Sequence, residues 1–291
     1  YILRFKKSIN KDKIETMNKL VAYKMDGLGN DFILFDKRKK SVSLTKEQII
    51  KISDRNSIGC DQVIFIEKDE NSNAFLKFYN SDGGEISACG NGSRCVAYLL
   101  MKENNNKKIS LGTKVGILQA ELNDKNLVSI NMGEPNFEWN KIPLSKKMDT
   151  QNLKIKINGI DGKEARGGFS LSIGNPHVIF FVEDFNQFNL KEIGPKIENY
   201  SYFPEKCNVT LASIKNKNHV KVKVWERGVG LTKACGTAAC ATAVSGAVLK
   251  LSERCVDIEF VEGLLNIDWK KDNNIYMTGK VSEVKKITVN I

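Results

Sequence analysis

The chain carries the stretch Ala88-Cys-Gly-Asn-Gly-Ser-Arg-Cys95 in its first half and Ala234-Cys-Gly-Thr-Ala-Ala-Cys240 in its second. Each begins with the same Ala-Cys-Gly tripeptide, continues with small residues, and runs into apolar residues at helical spacing. That spacing predicts one helix over 91–102 and another over 237–251. The cysteine of each tripeptide therefore stands at the start of a helix, once in each half of the chain.

Short strand-like runs surround these two predicted helices. In the first half they cover 20–23, 32–35, 63–66, 74–79 and 128–132, and in the second half 153–157, 168–173, 178–182, 220–225, 256–260 and 275–279. A further helix is predicted over 45–54, and the loop lengths favour antiparallel strand pairing. The predicted fold class is therefore α+β, with two similar, pseudo-symmetric halves that are each a mostly antiparallel sheet around one central helix.

A polar stretch between Pro135 and Pro143 is typical of a crossover between two halves. Residues 1–16 are polar and lysine-rich, and we expect them to form an N-terminal extension. The expected first half comprises residues 17–134 together with 280–291, and the expected second half comprises residues 135–279.

Composition favours a soluble, cytoplasmic protein. The chain has 291 residues, of which 41% are hydrophobic and 27% are charged. Its longest apolar runs, 95–101 and 178–182, fall short of the roughly 20 residues that a membrane span needs, and we read no signal peptide. The net charge of +11 comes mostly from scattered lysines rather than clustered arginines, which argues against nucleic-acid binding.

The chain has seven cysteines, an odd number that does not suit a disulfide framework. It has no Cys-x-x-Cys and only two histidines, so we expect no metal site. The thiols are then reduced, and most are expected to be buried packing residues. This applies to Cys60, Cys95, Cys207, Cys240 and Cys255.

Cys89 and Cys235 are the strongest candidates for chemistry. The dipole and the free N–H groups of a helix start favour a thiolate there, and those N–H groups can also hold a carboxylate. The glycine after each cysteine allows a ligand to approach the backbone. Two thiols on opposite sides of one carbon suit inversion, because one removes a proton while the other delivers one. The alternative is that both are small buried residues.

Two turns offer polar side chains to a site. The Gly-rich turn over 27–32 precedes a strand rather than a helix, so it is not a dinucleotide fingerprint, and Asn30 either projects its amide into a site or serves the turn. The Asn-Pro turn at 174–177 could aim Asn175 and His177 inward, although a lone histidine is more often structural.

Glu226 and Arg227 follow a predicted strand on the approach to Cys235. In isolation an adjacent acid and arginine is more often a solvated pair. Near Cys235 the same two side chains could instead bind an ammonium group and, through the two-pronged guanidinium, a carboxylate.

Taken together, seven segments resemble the diaminopimelate epimerase family, in the family's order and over about residues 17–291. They are Met25-Asp-Gly-Leu-Gly-Asn-Asp-Phe32, Gly59-Cys-Asp-Gln62, Tyr79-Asn-Ser-Asp-Gly-Gly-Glu85, Ala88-Cys-Gly-Asn-Gly-Ser-Arg-Cys95, Gly174-Asn-Pro-His177, Cys207-Asn-Val209, and Trp225-Glu-Arg-Gly-Val-Gly230 continuing to Ala234-Cys-Gly-Thr237.

The resemblance implies a cofactor-independent enzyme that interconverts LL- and meso-diaminopimelate, a precursor of lysine and peptidoglycan, in a cleft between the halves of a homodimer subunit. Cys89 and Cys235 would be the acid–base pair, with His177 and Glu226 supporting their protonation states. Gly90, Asn91, Gly236 and Thr237 would bind the reacting carboxylate. The rest of the substrate would be bound by Asn30, Gln62, Asn80, Asn175, Asn208, Glu226 and Arg227.

Three positions depart from the family's pattern. Asp26, Gly84 and Leu231 stand where many members have His, Ser and Glu, which bears on fine specificity more than on reaction type. A racemase of another amino acid, such as proline or histidine, is the alternative on the same fold. A non-catalytic binding protein is a further alternative, but it leaves the repeated Ala-Cys-Gly segments unexplained.

Overall fold

Two successive sets of strands, each with one central helix, make up most of the computed structural model, which describes residues 19–291. The predicted extension over 1–16 lies outside the described residues. The helices are α1 (Lys46–Ser53), α2 (Gly90–Asn104), α3 (Leu190–Glu198) and α4 (Gly236–Val248). The first eight strands are β1 (Lys19–Gly27), β2 (Asn30–Asp36), β3 (Gln62–Glu67), β4 (Ala74–Asn80), β5 (Glu85–Ile86), β6 (Lys108–Thr113), β7 (Gly116–Asp124) and β8 (Leu127–Asn131).

The second half contributes the remaining strands of the described chain. These are β9 (Ile155–Asn158), β10 (Glu164–Gly167), β11 (Phe169–Ser172), β12 (Pro176–Phe181), β13 (Asn208–Asn216), β14 (His219–Glu226), β15 (Gly230–Thr232), β16 (Cys255–Phe260), β17 (Gly263–Trp269), β18 (Ile275–Lys280) and β19 (Lys285–Asn290). Strands β9 and β10 form a small separate hairpin.

The strands β1–β8 and β11–β18 pair in the same pattern. In each set the first two strands are antiparallel, the second and third are parallel, and the third and fourth are antiparallel. The fourth strand then pairs antiparallel with a short fifth strand and parallel with the sixth, which continues into two antiparallel neighbours. This repetition confirms the predicted α+β class and the two pseudo-symmetric halves.

The two sets join through their last strands, because β8 lies antiparallel to β18. At the other end of the first set, β19 returns to lie antiparallel to β1. We propose on these pairings that the halves divide as predicted, with 280–291 completing the first half and 135–279 forming the second.

A helix lies at the centre of each half. Helix α2 packs in a core with residues of β1–β4 and β6–β8, and α4 packs in a second core with residues of β11–β14 and β16–β18. Residues 91–98 of α2 and 238–246 of α4 are buried on every face of the helix, which is typical of a helix wrapped by a sheet. The small side chains of α4 let the surrounding strands approach closely.

The three predicted helices are confirmed with small differences at their ends. Helix α1 begins after Thr45, whose side chain and that of Gln48 form a capping box. Helix α4 ends at Val248, three residues before the predicted end, because the chain turns through Lys250 at φ 58°. Helix α3 was not predicted, because it is short and contains Gly194 and Pro195. No helix within residues 19–291 combines the length and apolar character needed to cross a membrane.

Candidate active site

A cavity of about 620 Å³ lies where the two central helices begin. Both Ala-Cys-Gly tripeptides line it, together with polar residues at the ends of strands from both halves. Of the predicted site residues, eleven line the cavity: Asn30, Gln62, Asn80, Cys89, Gly90, Asn91, Asn175, Glu226, Cys235, Gly236 and Thr237. The fold thus brings together segments that are far apart in the sequence.

Cys89 and Cys235 occupy equivalent positions, since each is the N-cap of its central helix. Their backbones are nearly identical, with φ −142° and ψ 115° at Cys89 and φ −143° and ψ 115° at Cys235. The carbonyl of each accepts the first helical hydrogen bond, which leaves earlier N–H groups of both helices free to bind an anion. The prediction of two cysteines at helix starts is confirmed.

The glycine after each cysteine leaves space that the Met277 side chain fills. A Cβ atom on Gly90 would lie 2.7 Å from Met277 Cε, and one on Gly236 would lie 2.8 Å from Met277 Sδ. Met277 is fully buried in β18, so one side chain contacts both helix starts. The two helices can begin this close together because neither glycine carries a side chain.

Burial dominates the acidity of both thiols. It raises the pKa of the Cys89 thiol to about 11, although the Gly92 N–H that donates to its sulfur lowers the pKa. Burial raises the pKa of Cys235 well above its ordinary value, and the Glu226 carboxylate adds to the rise. The helix-start N–H groups lower the pKa of both thiols, as expected, but desolvation outweighs them, so the net pKa of each thiol is raised.

Four amides of the first half form the wall beside Cys89. Gln62 at the start of β3 lies opposite Asn80 at the end of β4, and its Nε2 donates to Asn80 Oδ1 at 3.0 Å. Asn91 in the first turn of α2 donates through Nδ2 to Asn30 Oδ1 at 2.8 Å. Gln62 Oε1 is buried and has no partner among the described residues, so it can accept a hydrogen bond from a ligand.

The second half places corresponding residues beside Cys235. Asn30 is the first residue of β2 and Asn175 immediately precedes β12, which is the second strand of its half. Glu226 ends β14 as Asn80 ends β4. Asn175 Nδ2 lies 3.4 Å from Thr237 Oγ1 in the first turn of α4. Burial raises the pKa of the Glu226 carboxyl.

Three predicted site residues do not line the cavity. His177 is fully buried, and its Nε2 shares a 2.9 Å hydrogen bond with Asn175 Oδ1. Asn208 donates to the Pro176 carbonyl at 2.9 Å and accepts from the Arg227 N–H at 3.0 Å. The exposed Arg227 side chain donates to the Glu205 carbonyl at 3.0 Å.

The sequence interpretation missed Asp61, which lines the cavity beside Asn30. One carboxylate oxygen of Asp61 accepts from Asn30 Nδ2 and from the Asp31 N–H, both at 3.1 Å. The other oxygen accepts from Arg55. The signal was present in the segment Gly59-Cys-Asp-Gln62, but nothing in the sequence places Asp61 next to Asn30.

The geometry agrees with a comparison against known protein families. The family model described as "Diaminopimelate epimerase" matches residues 22–138 and 169–284. A protein named diaminopimelate epimerase from Pelagibacter ubique (strain HTCC1062) is 54% identical over 270 residues, which cover 93% of this chain and 98% of that protein. The chain belongs to the diaminopimelate epimerase family. It is accordingly an isomerase of the racemase and epimerase class, as the sequence segments predicted.

A second sequence relative and two solved structures are also similar to this chain. A diaminopimelate epimerase from Acidiphilium cryptum (strain JF-5) is 39% identical over 262 residues, covering 90% of this chain and 93% of that protein. The crystal structure of a Bacillus anthracis phenazine biosynthesis protein of the PhzF family is similar with a TM-score of 0.67 at 18% identity, over 94% of this chain and all of that chain. A probable proline racemase from Agrobacterium radiobacter K84 is similar with a TM-score of 0.65 at 11% identity, over 93% of this chain and 92% of that chain.

Proposed function

We propose that this enzyme interconverts LL-2,6-diaminopimelate and meso-diaminopimelate without a cofactor, with Cys89 and Cys235 as the acid–base pair. The observation that carries the proposal is that two cysteines with the same N-cap conformation line one cavity from two pseudo-symmetric halves. One thiolate removes the α-proton while the opposite thiol delivers a proton to the other face. The names of the relatives support the choice of substrate.

The free N–H groups of α2 and α4 support binding of the reacting carboxylate. Negative charge builds on this carboxylate as the α-proton leaves, so donors at both helix starts stabilise the transition state more than the bound substrate. In this proposal Gly90 and Asn91 act from one helix, and Gly236 and Thr237 act from the other.

The polar strand ends suit the second amino-acid group of diaminopimelate. Asn30, Gln62, Asn80, Asn175 and Glu226 line the cavity, and the free Gln62 Oε1 and the Glu226 carboxylate can accept from an ammonium group. We assign the distal carboxylate to Arg227, whose guanidinium must then leave the Glu205 carbonyl. Asn208 holds the backbone of Arg227, and His177 orients Asn175.

Two single substitutions, Cys89→Ala and Cys235→Ala, test the two-thiol mechanism. Each is expected to lower the rate of inversion of LL-diaminopimelate by about 10³-fold or more, since one face loses its acid or base. Inversion is followed by chiral chromatography, and α-proton exchange in heavy water is scored separately because one thiol can still exchange on its own face.

Cys240→Ala is the matched control, because Cys240 is a buried cysteine of α4 that does not line the cavity. It is expected to retain activity within a few fold. Inversion by either test variant at near the rate of the unmodified enzyme would overturn the mechanism. Inversion of proline or histidine in preference to diaminopimelate would instead favour the racemase alternative and leave the two-thiol chemistry intact.

We propose further that the enzyme works in the cytoplasm as a homodimer and supplies meso-diaminopimelate for lysine and peptidoglycan synthesis. The family resemblance supports this assignment. Light scattering at working concentrations tests the dimer, and restoring growth to a bacterial strain that cannot make meso-diaminopimelate tests the pathway.

A further inference from the structure

Arg94, one turn into α2, carries a buried positive charge that the two-thiol mechanism does not use. It is among the largest fully buried side chains of the protein, with 0% exposure. Its Nη2 donates to Asn91 Oδ1 at 2.9 Å, its Nη1 contacts Met277 Sδ at 3.5 Å, and its Nε has no hydrogen-bond partner in the described part of the chain. No carboxylate among residues 19–291 forms an ion pair with it, although an unpaired buried charge is costly to folding.

The fold makes room for this charge in one half only. A Cβ atom on Gly279 would lie 3.1 Å from both Cζ and Nε of Arg94, so the glycine shapes the pocket for the guanidinium. Counting from the two N-cap cysteines, the position in α4 that corresponds to Arg94 is Cys240, an uncharged residue. The charge therefore belongs to the Cys89 side of the cavity.

Arg94 begins a chain of hydrogen bonds that runs along the cavity wall. Asn91 accepts from Arg94 and donates to Asn30, and Asn30 donates to Asp61. A guanidinium can only donate and an ionised carboxylate can only accept, so the two ends fix the direction of both amides between them. Each amide keeps a second N–H that is free to donate to an anionic ligand.

We propose that Arg94 is a positioning residue for the epimerisation. Its side chain turns the Asn91 and Asn30 amides toward the substrate and holds a positive charge beneath Cys89. This inference rests on the proposed function. The charge also lowers the pKa of the Cys89 thiol, against the larger rises that burial and the Glu226 carboxylate cause, whereas at Cys235 the charge that shifts the pKa is that of Glu226. Arg94 therefore favours negative charge at Cys89 and at the nearby carboxylate in the transition state.

Arg94→Met separates this role from packing. Replacing a buried unpaired charge with an apolar side chain of similar length leaves the free energy of unfolding unchanged or raises it. The Tm of the variant is therefore expected to equal or exceed that of the unmodified enzyme. At the same time kcat is expected to fall by about 10²-fold, the usual loss when a preorganised donor is removed. A residue that serves packing alone gives the reverse pattern, with a lower Tm and an unchanged kcat.

Alkylation by iodoacetamide, measured peptide by peptide from pH 7 to 10, reports on the thiols without any substrate. In Arg94→Met the alkylation of Cys89 is expected to slow by more than about twofold, because loss of the charge raises the pKa of its thiol, while the alkylation of Cys235 is unchanged. Arg94→Lys restores the charge and is expected to recover Cys89 alkylation, but it recovers kcat only in part because an ammonium lacks the planar fork. Cys240→Ala is the control at the corresponding position of α4, and it is expected to change neither kcat nor the alkylation of Cys89.

The proposal is overturned if Arg94→Met keeps kcat and Cys89 alkylation within twofold, or if Arg94→Lys is no better than Arg94→Met. If Arg94→Met does not fold, Arg94→Gln removes the charge while keeping a polar side chain. The same limits on kcat and on Cys89 alkylation then apply to Arg94→Gln. Failure of the proposed function is a separate result: the unmodified enzyme then lacks activity on diaminopimelate, while the alkylation experiment still tests Arg94.

Discussion

His177 occupies the position in the second half that Phe32 occupies in the first. Phe32 lies opposite Gln62 in the parallel pair β2 and β3, and His177 lies opposite Asn208 in the parallel pair β12 and β13. Both side chains are fully buried, but the histidine also holds Asn175. Burial, with a smaller contribution from the charge of Arg227, lowers the pKa of His177 to about 3, so the ring is neutral at pH 7. A neutral ring orients Asn175 without adding a charge to the cavity.

The buried ring makes folding sensitive to acid. In the unfolded chain His177 takes up a proton near pH 6.5, whereas in the folded protein it does so only near pH 3. The unfolded state therefore binds more protons in this window, and this site lowers the free energy of unfolding by up to about 1.4 kcal/mol per pH unit as the pH falls. His177→Phe, which copies the first half, is expected to remove that slope.

Urea unfolding at pH 7, 6 and 5 measures the slope for both proteins. The readout is the difference in free energy of unfolding between variant and unmodified protein, which should shift in favour of the variant at each lower pH. A difference that stays constant with pH would show that His177 is not the group that titrates. His219, which pairs with Glu259 at the surface, provides a control in His219→Gln, which retains the His177 slope.

Among the elements, α2 and α4 depend on the same buried methionine. The Met277 side chain in β18 packs against both Gly90 and Gly236. The register of β8 and β18 places Met277 opposite Ile130, where the two halves join. Either helix start is therefore sensitive to a change in the other half. This coupling depends on strand register and could not be inferred from the local sequence of either helix.

Gly236→Ala tests the contact between a helix start and Met277. The added methyl group is expected to lower the free energy of unfolding by about 1–3 kcal/mol through overpacking. Met277→Ala alone is expected to cost about 2–5 kcal/mol as a cavity. Because the second change makes room for the first, the double variant should be more stable than the sum predicts by at least about 1 kcal/mol.

A double-mutant cycle by urea unfolding measures this coupling, and Gly90→Ala with Met277→Ala repeats it for the other helix. Additive effects in both cycles would mean that Met277 moves aside at no cost. Activity is a separate readout. If a stable double variant loses activity, the loss comes from a disturbance of the N–H groups at the helix start and not from lower stability.

At the scale of the whole molecule, the C-terminal strand stabilises the beginning of the fold. Strand β19 pairs with β1 from Lys19 opposite Asn290 to Lys24 opposite Lys285. Its Val289 is fully buried in a cluster with Ala22, Ile33 and Phe35, whereas the neighbouring Thr288 is exposed. The last residues of the chain therefore complete the core of the first half.

Val289→Ala is expected to lower the free energy of unfolding by about 2 kcal/mol, since it removes two buried methyl groups and leaves a cavity. Thr288→Ala, on the exposed face of the same strand, is expected to change it by less than about 0.5 kcal/mol. Urea unfolding measures both. Equal effects of the two substitutions would contradict the pairing of β19 with β1.

The sequence alone determined the central helices and the cysteines at their starts, and the resemblance of its segments to the family supplied most of the polar residues that line the cavity. These features depend on signals within a few residues: apolar spacing in α2 and α4, the small residues after each Ala-Cys-Gly, and amides beside turns such as Asn30 and Asn175. Repetition of those signals in both halves was enough to predict a duplicated α+β fold.

Tertiary structure decided which of these residues reach the cavity and how they are charged. It kept His177 and Asn208 out of the cavity lining and gave Asn30 an unpredicted partner in Asp61. It also buried Arg94 away from every carboxylate of residues 19–291 with which it could form an ion pair, and it raised the pKa of both thiols against the helix starts. Hydrogen bonding and desolvation depend on atoms that lie close in space but far apart in the chain, so no local pattern in the sequence determines them.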